Sequence, residues 1–372
     1  MPLLKAHVVG SMLRPEGLAE RLRAYRAGEI DAAEFKTAED AAVDLALRIQ
    51  QDAGIELITD GEQRRLAFGD VLSRSVDGIE PQDPTPIGRG GMWHGETGRT
   101  ATLEISSPTG GVITRKLRRR DSQALEEFAY AHGKTSVPVK VTLPSPTLLM
   151  ASWSPALSAG AYPSLGDALD DVVEILRQEV HDLAEAGGRH IQFDAPEATF
   201  AIDPESSRPL RASGMSRERF CDEVASRLDE VASEPGVTFS VHVCRGNARG
   251  HWHSAGGYYP IAALLFPRLQ RFSYVLLEYD TERAGGFEAL RHLPETACAV
   301  LGLISTKTGA LESFERLSQR ISEAAEHFPR DQLALSPQCG FASDAGGNPI
   351  TFEQQEAKLR LVSQVVREVL GA

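Results

Sequence analysis

Eight short apolar runs recur along the chain, and this beat restricts the fold more than any other feature. The runs are HVVGSM (7–12), LITDGE (57–62), VPVKVTLPSP (137–146), HIQFDAPE (190–197), VTFSVHVC (237–244), YVLLEYD (274–280), CAVLGLIST (298–306) and LALSPQCG (333–340). They are nearly continuous in apolar residues instead of alternating, as parallel strands covered on both faces are. Helical stretches such as GDALDDVVEILRQEVHDLAEAGG and SRERFCDEVASRLDEVAS lie between them, with the length a parallel crossover needs. Eight such units predict an α/β fold, a closed (β/α)8 TIM barrel in preference to an open doubly wound sheet. No Gly-x-Gly-x-x-Gly follows the first run, which argues against a dinucleotide-binding sheet.

Residues 81–135 break the beat. They begin Pro- and Gly-rich (PQDPTPIGRGGMWHGETG) and continue as a hairpin-like stretch, TATLEISSPTGGVITRKL. They read as a hairpin-containing insertion after strand 2, near the barrel mouth, inside one domain spanning 1–372. A barrel absorbs this length as a single domain.

Charge narrows the partners. Lys and Arg number 39 against 52 Asp and Glu, a net −13. Nucleic acid and anionic membrane both need a basic face and are therefore not expected partners. The basic run RKLRRR (115–120) follows a Gly-Gly turn and reads as a solvated hairpin edge. No stretch reaches the roughly 18 apolar residues of a membrane span, and MPLLKAHVVGSMLRP lacks the features of a signal peptide. The four cysteines, Cys221, Cys244, Cys298 and Cys339, are too scattered for a disulfide framework. They are expected to be reduced, in the cytoplasm.

Catalytic groups of such barrels come from the C-terminal strand ends and the loops after them. Here those ends carry Ser11 with Arg14, Asp60 and Glu62 with Arg64 and Arg65, Asp194 with Glu197, His242 and Cys244, Glu278 and Asp280, Lys307, and Cys339. His242 and Cys244 are two apart in a strand, so they project from one face. With Glu278 and Cys339 at the same rim they form a candidate tetrahedral Zn2+ shell of S, S, N and O donors. Cys221 lies mid-helix and Cys298 at a strand start, so both read as buried small apolar residues.

The segments VGSMLRP, TDGEQRR, IQFDAPE, VHVCRGN, LLEYD, LGLISTKTGALES and LALSPQCGFAS resemble those of the cobalamin-independent methionine synthase family. The similarity is to its catalytic C-terminal barrel, and more closely to the short single-barrel methionine synthase II-like group. The resemblance implies His242, Cys244, Glu278 and Cys339 as zinc ligands. It implies Ser11, Glu62 and Asp194 as holding the amino-acid part of homocysteine, with Arg14 as a further substrate contact. Lys307 stands where the long synthases carry an acid histidine, and is a proton donor or an anion contact. Trp153 lies where an aromatic pterin contact is expected. His251, Trp252 and His253 fall beyond strand 5, near the rim.

The reaction implied is zinc-dependent methylation of a small-molecule thiol. Zinc strips the thiol's proton, and the thiolate is the nucleophile. The methyl donor is methyltetrahydrofolate or a methyl-corrinoid protein. An epoxyalkane:coenzyme M transferase is the alternative enzyme, and would need Arg14, Arg64 or Arg65 to face a sulfonate. A non-catalytic zinc-binding barrel would leave Glu62 and Asp194 without a purpose.

Overall fold

The computed structural model describes residues 3–80, 93–95, 100, 101, 103, 109, 111–207, 210 and 214–371. Six parallel strands lie side by side in sequence order: strand 3, Lys140–Pro144; strand 4, His190–Asp194; strand 5, Thr238–Val243; strand 6, Phe272–Glu278; strand 7, Cys298–Ile304; strand 8, Leu333–Pro337. Strands 1 and 2 complete the ring through single parallel bridges. Ala6 bridges Leu335, His7 bridges Leu57, and Ile58 bridges Val139 beside strand 3. The expected α/β TIM barrel is therefore the fold.

Side chains explain why strands 1 and 2 pair so briefly. The Glu56 carboxylate accepts from the backbone N–H of Lys5 and Ala6, at 2.5 and 2.9 Å. The Gln50 amide, on the helix Ala32–Asp52, bonds both the N–H and the C=O of Thr59. Backbone groups that a longer ladder would pair are satisfied by side chains instead.

Helices cover the outside. Leu165–Glu185 opens with a capping box of Ser164 and Asp167, and Phe352–Val365 with one of Thr351 and Gln354. Arg217–Val231 buries Phe220, Cys221, Val224 and Leu228 on one stripe. Between strands 6 and 7 the crossover is only short 3₁₀ turns, Glu282–Ala284 and Glu288–His292. Cys221 and Cys298 sit in the apolar core as expected. Among the described residues no helix is long and apolar enough to cross a membrane.

The strand Val112–Arg119 pairs antiparallel with Val76–Glu80, and Trp93–His94 with Thr100–Ala101. The basic run forms an outer edge with paired charges: Arg115 with Glu80, Arg119 with Glu179 and Asp182, Arg120 with Asp77. Of the expected 81–135 insertion, residues 81–92, 96–99, 102, 104–108 and 110 lie outside the described residues.

Gly302 shows how tightly the rim is built. A Cβ there would lie 2.7 Å from Gln338 Cα and 2.9 Å from the Leu277 carbonyl oxygen, both backbone. Gly302→Ala is expected to destabilise the protein by about 1–3 kcal/mol. Chemical denaturation reads this, and an unchanged midpoint would show that the strand 6–7–8 junction can relax freely.

Candidate metal centre and active site

Strand 5 sets His242 beside Asp194 of strand 4 and Leu276 of strand 6 in register. The pleat carries Cys244, two residues on, to the same side. Cys339 arrives from the loop after strand 8, which three other segments hold. Gln338 N–H donates to the Ile304 carbonyl, the Asn247 amide donates to the Gly340 carbonyl at 2.7 Å, and Phe341 N–H donates to the Ser11 carbonyl at 2.8 Å. A nitrogen of His242 and the sulfurs of Cys244 and Cys339 lie within 4.8 Å of one another, all buried.

This donor set suits a metal ion. Neither ring nitrogen of His242 has a hydrogen-bond partner, although both are buried. Leaving such a group unsatisfied costs about 1–3 kcal/mol, and coordination would remove that cost. The neighbouring Cys244 thiol, and His242 after it, hold Cys339 well below the usual thiol range despite burial. Cys339 and burial push Cys244 well up. Two sulfurs, one thiolate-like, with an imidazole fit zinc.

Glu278 is beside this group but not in it. Its Oε1 accepts from Lys307 Nζ at 3.1 Å and Arg283 Nη2 at 2.9 Å, and its Oε2 from the Arg245 N–H at 2.7 Å. Burial alone would raise its pKa, but Lys307, Arg283 and Arg245 overcome that and hold it well below the carboxylate range. Lys307 also donates to Asp280 Oδ2 at 3.1 Å. Burial lowers the Lys307 pKa, but Asp280 and Glu278 more than reverse the effect. Lys307 is thus the shared ion-pair partner of Glu278 and Asp280.

Across the rim lie the residues implied for the amino acid. Ser11 Oγ accepts from the Ala342 N–H at 3.2 Å. Glu62 takes a positive φ of 53°, stabilised by its N–H donating to Asp60 Oδ1 at 2.9 Å. Thr142 donates to Glu62 Oε1 at 2.8 Å, while Oε2 is buried without a partner. Gly10 makes room for it, because a Cβ there would overlap Oε1. Burial pushes the Glu62 carboxyl up to about 8 and that of Asp194 up to about 6. Two buried acids with spare acceptor capacity make a seat for a cation.

Several sequence candidates have other partners. Arg14 donates to four backbone carbonyls, those of Ala342, Asp344, Glu62 and Arg65. It ties the loops after strands 1, 2 and 8 together. Arg64 pairs with Asp40 and Glu39, and Arg65 with Glu127. Glu197 accepts from Ser145 and Thr147. Trp153 donates its indole N–H to the Tyr162 carbonyl at 3.3 Å. Trp252 stacks on His94 at 4.4 Å under the Arg283 guanidinium, and His253 packs edge-on against Trp93 and Phe200.

The sequence reading did not single out Arg245, Asn247, Arg283, Thr142, Gln192 or Lys140. The first three sit in loops with no distinguishing spacing. Lys140 did carry a signal, as the one charged residue in VPVKVTLPSP.

Residues 4–354 match the sequence model described as cobalamin-independent synthase, catalytic domain. The Bacillus subtilis (strain 168) protein YxjH is 32% identical over 370 residues, covering 98% of this chain and 94% of its own length. A Listeria monocytogenes structure superposes with a TM-score of 0.74 at 26% identity, covering 100% of this chain and 99% of that one. The B12-independent methionine synthase of Shewanella sp. W3-18-1, solved in complex with selenomethionine, superposes at 0.73 with 20% identity over 98% of each chain.

The Glu62 pKa has a consequence for stability. Its folded value of about 8 exceeds the ordinary 4.5, so between these pH values the folded state holds a proton that the unfolded state has released. Stability of the ligand-free protein should therefore fall as pH rises through that window, by up to about 1.4 kcal/mol per pH unit from this group. Glu62→Gln should flatten the slope in paired denaturation curves from pH 5 to 8. An identical slope in the variant would mean that Glu62 is ionised throughout.

Proposed function

Because the chain belongs to the cobalamin-independent methionine synthase family, we propose that it is a zinc-dependent methyltransferase whose acceptor is an amino-acid thiol, homocysteine. One observation carries the reading. A buried His242–Cys244–Cys339 donor group stands at the same rim as two buried, protonation-prone carboxylates, with His242 and Asp194 as register partners.

In this reading His242, Cys244 and Cys339 hold the zinc. When bound, the metal lowers the pKa of the substrate thiol so that sulfur attacks as thiolate. Glu62 and Asp194 grip the substrate ammonium, and Ser11 lies alongside them. Their raised pKa values then fall, because a cation next to a carboxylate favours its charged form. Glu278 would be the fourth donor, and any metal bond it made would compete with its bonds to Lys307 and Arg283. Lys307, which also pairs with Asp280, would hold that carboxylate whenever it was not a metal donor. The methyl donor in this reading is methyltetrahydrofolate or a methyl-corrinoid protein.

The coenzyme M alternative fares worse. Each arginine it could use is committed to carbonyls or carboxylates, and the carboxyls of Glu62 and Asp194 offer a sulfonate no cation. A purely zinc-storing barrel gives those carboxylates no cation to bind.

Metal analysis with zinc-edge X-ray absorption tests the reading. Homocysteine should add one sulfur neighbour, whereas coenzyme M should add none; a gain with coenzyme M alone would reverse the choice of acceptor. Cys339→Ser should strip the metal. Asp194→Ala should retain zinc yet bind homocysteine about tenfold or more weakly, and unchanged affinity would refute its placement at the amino group.

A further inference from the structure

Beneath the candidate amino-acid seat lies a cation the mechanism does not use. Lys140, Thr142 and Pro144 share one face of strand 3, in register with His190, Gln192 and Asp194 of strand 4. Thr142 reaches Glu62 at the rim, so Lys140 projects into the barrel bore one layer below. It is 2% exposed. Its Nζ donates to the Val8 carbonyl and to Gln192 Oε1, both at 2.6 Å. Gln192 Nε2 in turn donates to the Val9 carbonyl at 3.0 Å and to Asp194 Oδ1 at 2.7 Å.

We propose that Lys140 is a positioning residue for amino-acid recognition, fixing the Gln192 amide so that its NH2 end faces Asp194. The inference rests on the proposed role of Asp194 at the substrate ammonium.

An amide side chain has a donor end and an acceptor end, and rotation about its last bond exchanges them. The ammonium accepts nothing, so it can be matched only by the Gln192 oxygen. The NH2 end is thereby committed to Asp194 and the Val9 carbonyl. Without Lys140 the buried Gln192 oxygen loses its donor, and the amide is held only by its NH2 bonds to Asp194 and the Val9 carbonyl. Asp194 is then held less firmly in one orientation. The charge contributes as well. Burial pulls the Lys140 pKa down to about 7 although Asp194 and Glu62 pull it up, and in its protonated form it favours their ionised forms against burial. From below it faces His7 and His190, whose pKa values burial lowers and Lys140 lowers further.

A purely structural role is a poor explanation for this residue. Both of its hydrogen-bond partners are uncharged, and desolvating an ammonium costs several kcal/mol. An apolar side chain of similar length would fill the bore without that cost.

The test measures binding of L-methionine and of its deamino analogue, 4-(methylthio)butanoate, to the zinc-loaded protein by calorimetry. Lys140→Met should weaken L-methionine about tenfold and leave the analogue, the zinc content and the thermal stability unchanged or improved. Gln192→Met breaks the same relay while keeping the cation, and should reproduce the loss. The double variant should lose no more than either single one, because coupled residues are not additive. Unchanged methionine affinity in both variants, or equal loss for both ligands, would overturn the relay. A wild-type protein that does not distinguish the two ligands would overturn the amino-group role of Asp194 together with the relay, and that result needs no variant.

Discussion

His7 N–H donates to the Leu335 carbonyl and Leu335 N–H to that of Lys5, while Ile58 and residues 138–140 exchange a similar pair on the other side. These few backbone bonds close the ring of strands, and the whole site depends on them. Closure brings Ser11 against Gly340 and Ala342, so tightly that a Cβ on Gly340 would overlap the Ser11 hydroxyl. It also brings Cys339 within reach of His242, nearly a hundred residues earlier in the chain. An open sheet of the same strands would leave Ser11 and Cys339 on opposite edges.

Burial raises every carboxyl pKa at the rim, and the neighbouring cations decide which of them stays raised. Glu62 and Asp194 are desolvated without full compensation, and their pKa values rise. Glu278 is just as buried, but Lys307 and Arg283 are at its side and hold it ionised. The first arrangement favours accepting a cation from outside. The second has its cations already. The two arrangements differ in what they can still accept: the first has acceptor capacity left, and the second does not.

Much of the barrel was legible along the chain. Strands 3, 4, 5, 7 and 8 lie within the apolar runs and strand 6 starts two residues before its own, because a strand covered on both faces must be apolar almost throughout. His242 and Cys244 were legible as a pair because the period of a strand is two. Other features were not. The brevity of strands 1 and 2 depends on Glu56 and Gln50 bonding their backbone, and neither residue stands out in its helix or turn. Nor could the sequence show what Arg14, Arg64 and Arg65 bond, because their carbonyl and carboxylate partners lie on other segments.

Sequence alone determined the class of fold, the face shared by His242 and Cys244, and the kinds of residue at each strand end, since these follow from periodicity and from the strand-then-loop order. Only the tertiary structure decided which of those residues meet. It grouped Cys339 with His242 and Cys244, turned Glu278 toward Lys307 and Arg283, and set Lys140 under Gln192 and Asp194. The reason is that hydrogen bonds and ion pairs depend on distances between strand ends, and those distances exist only once the ring has closed.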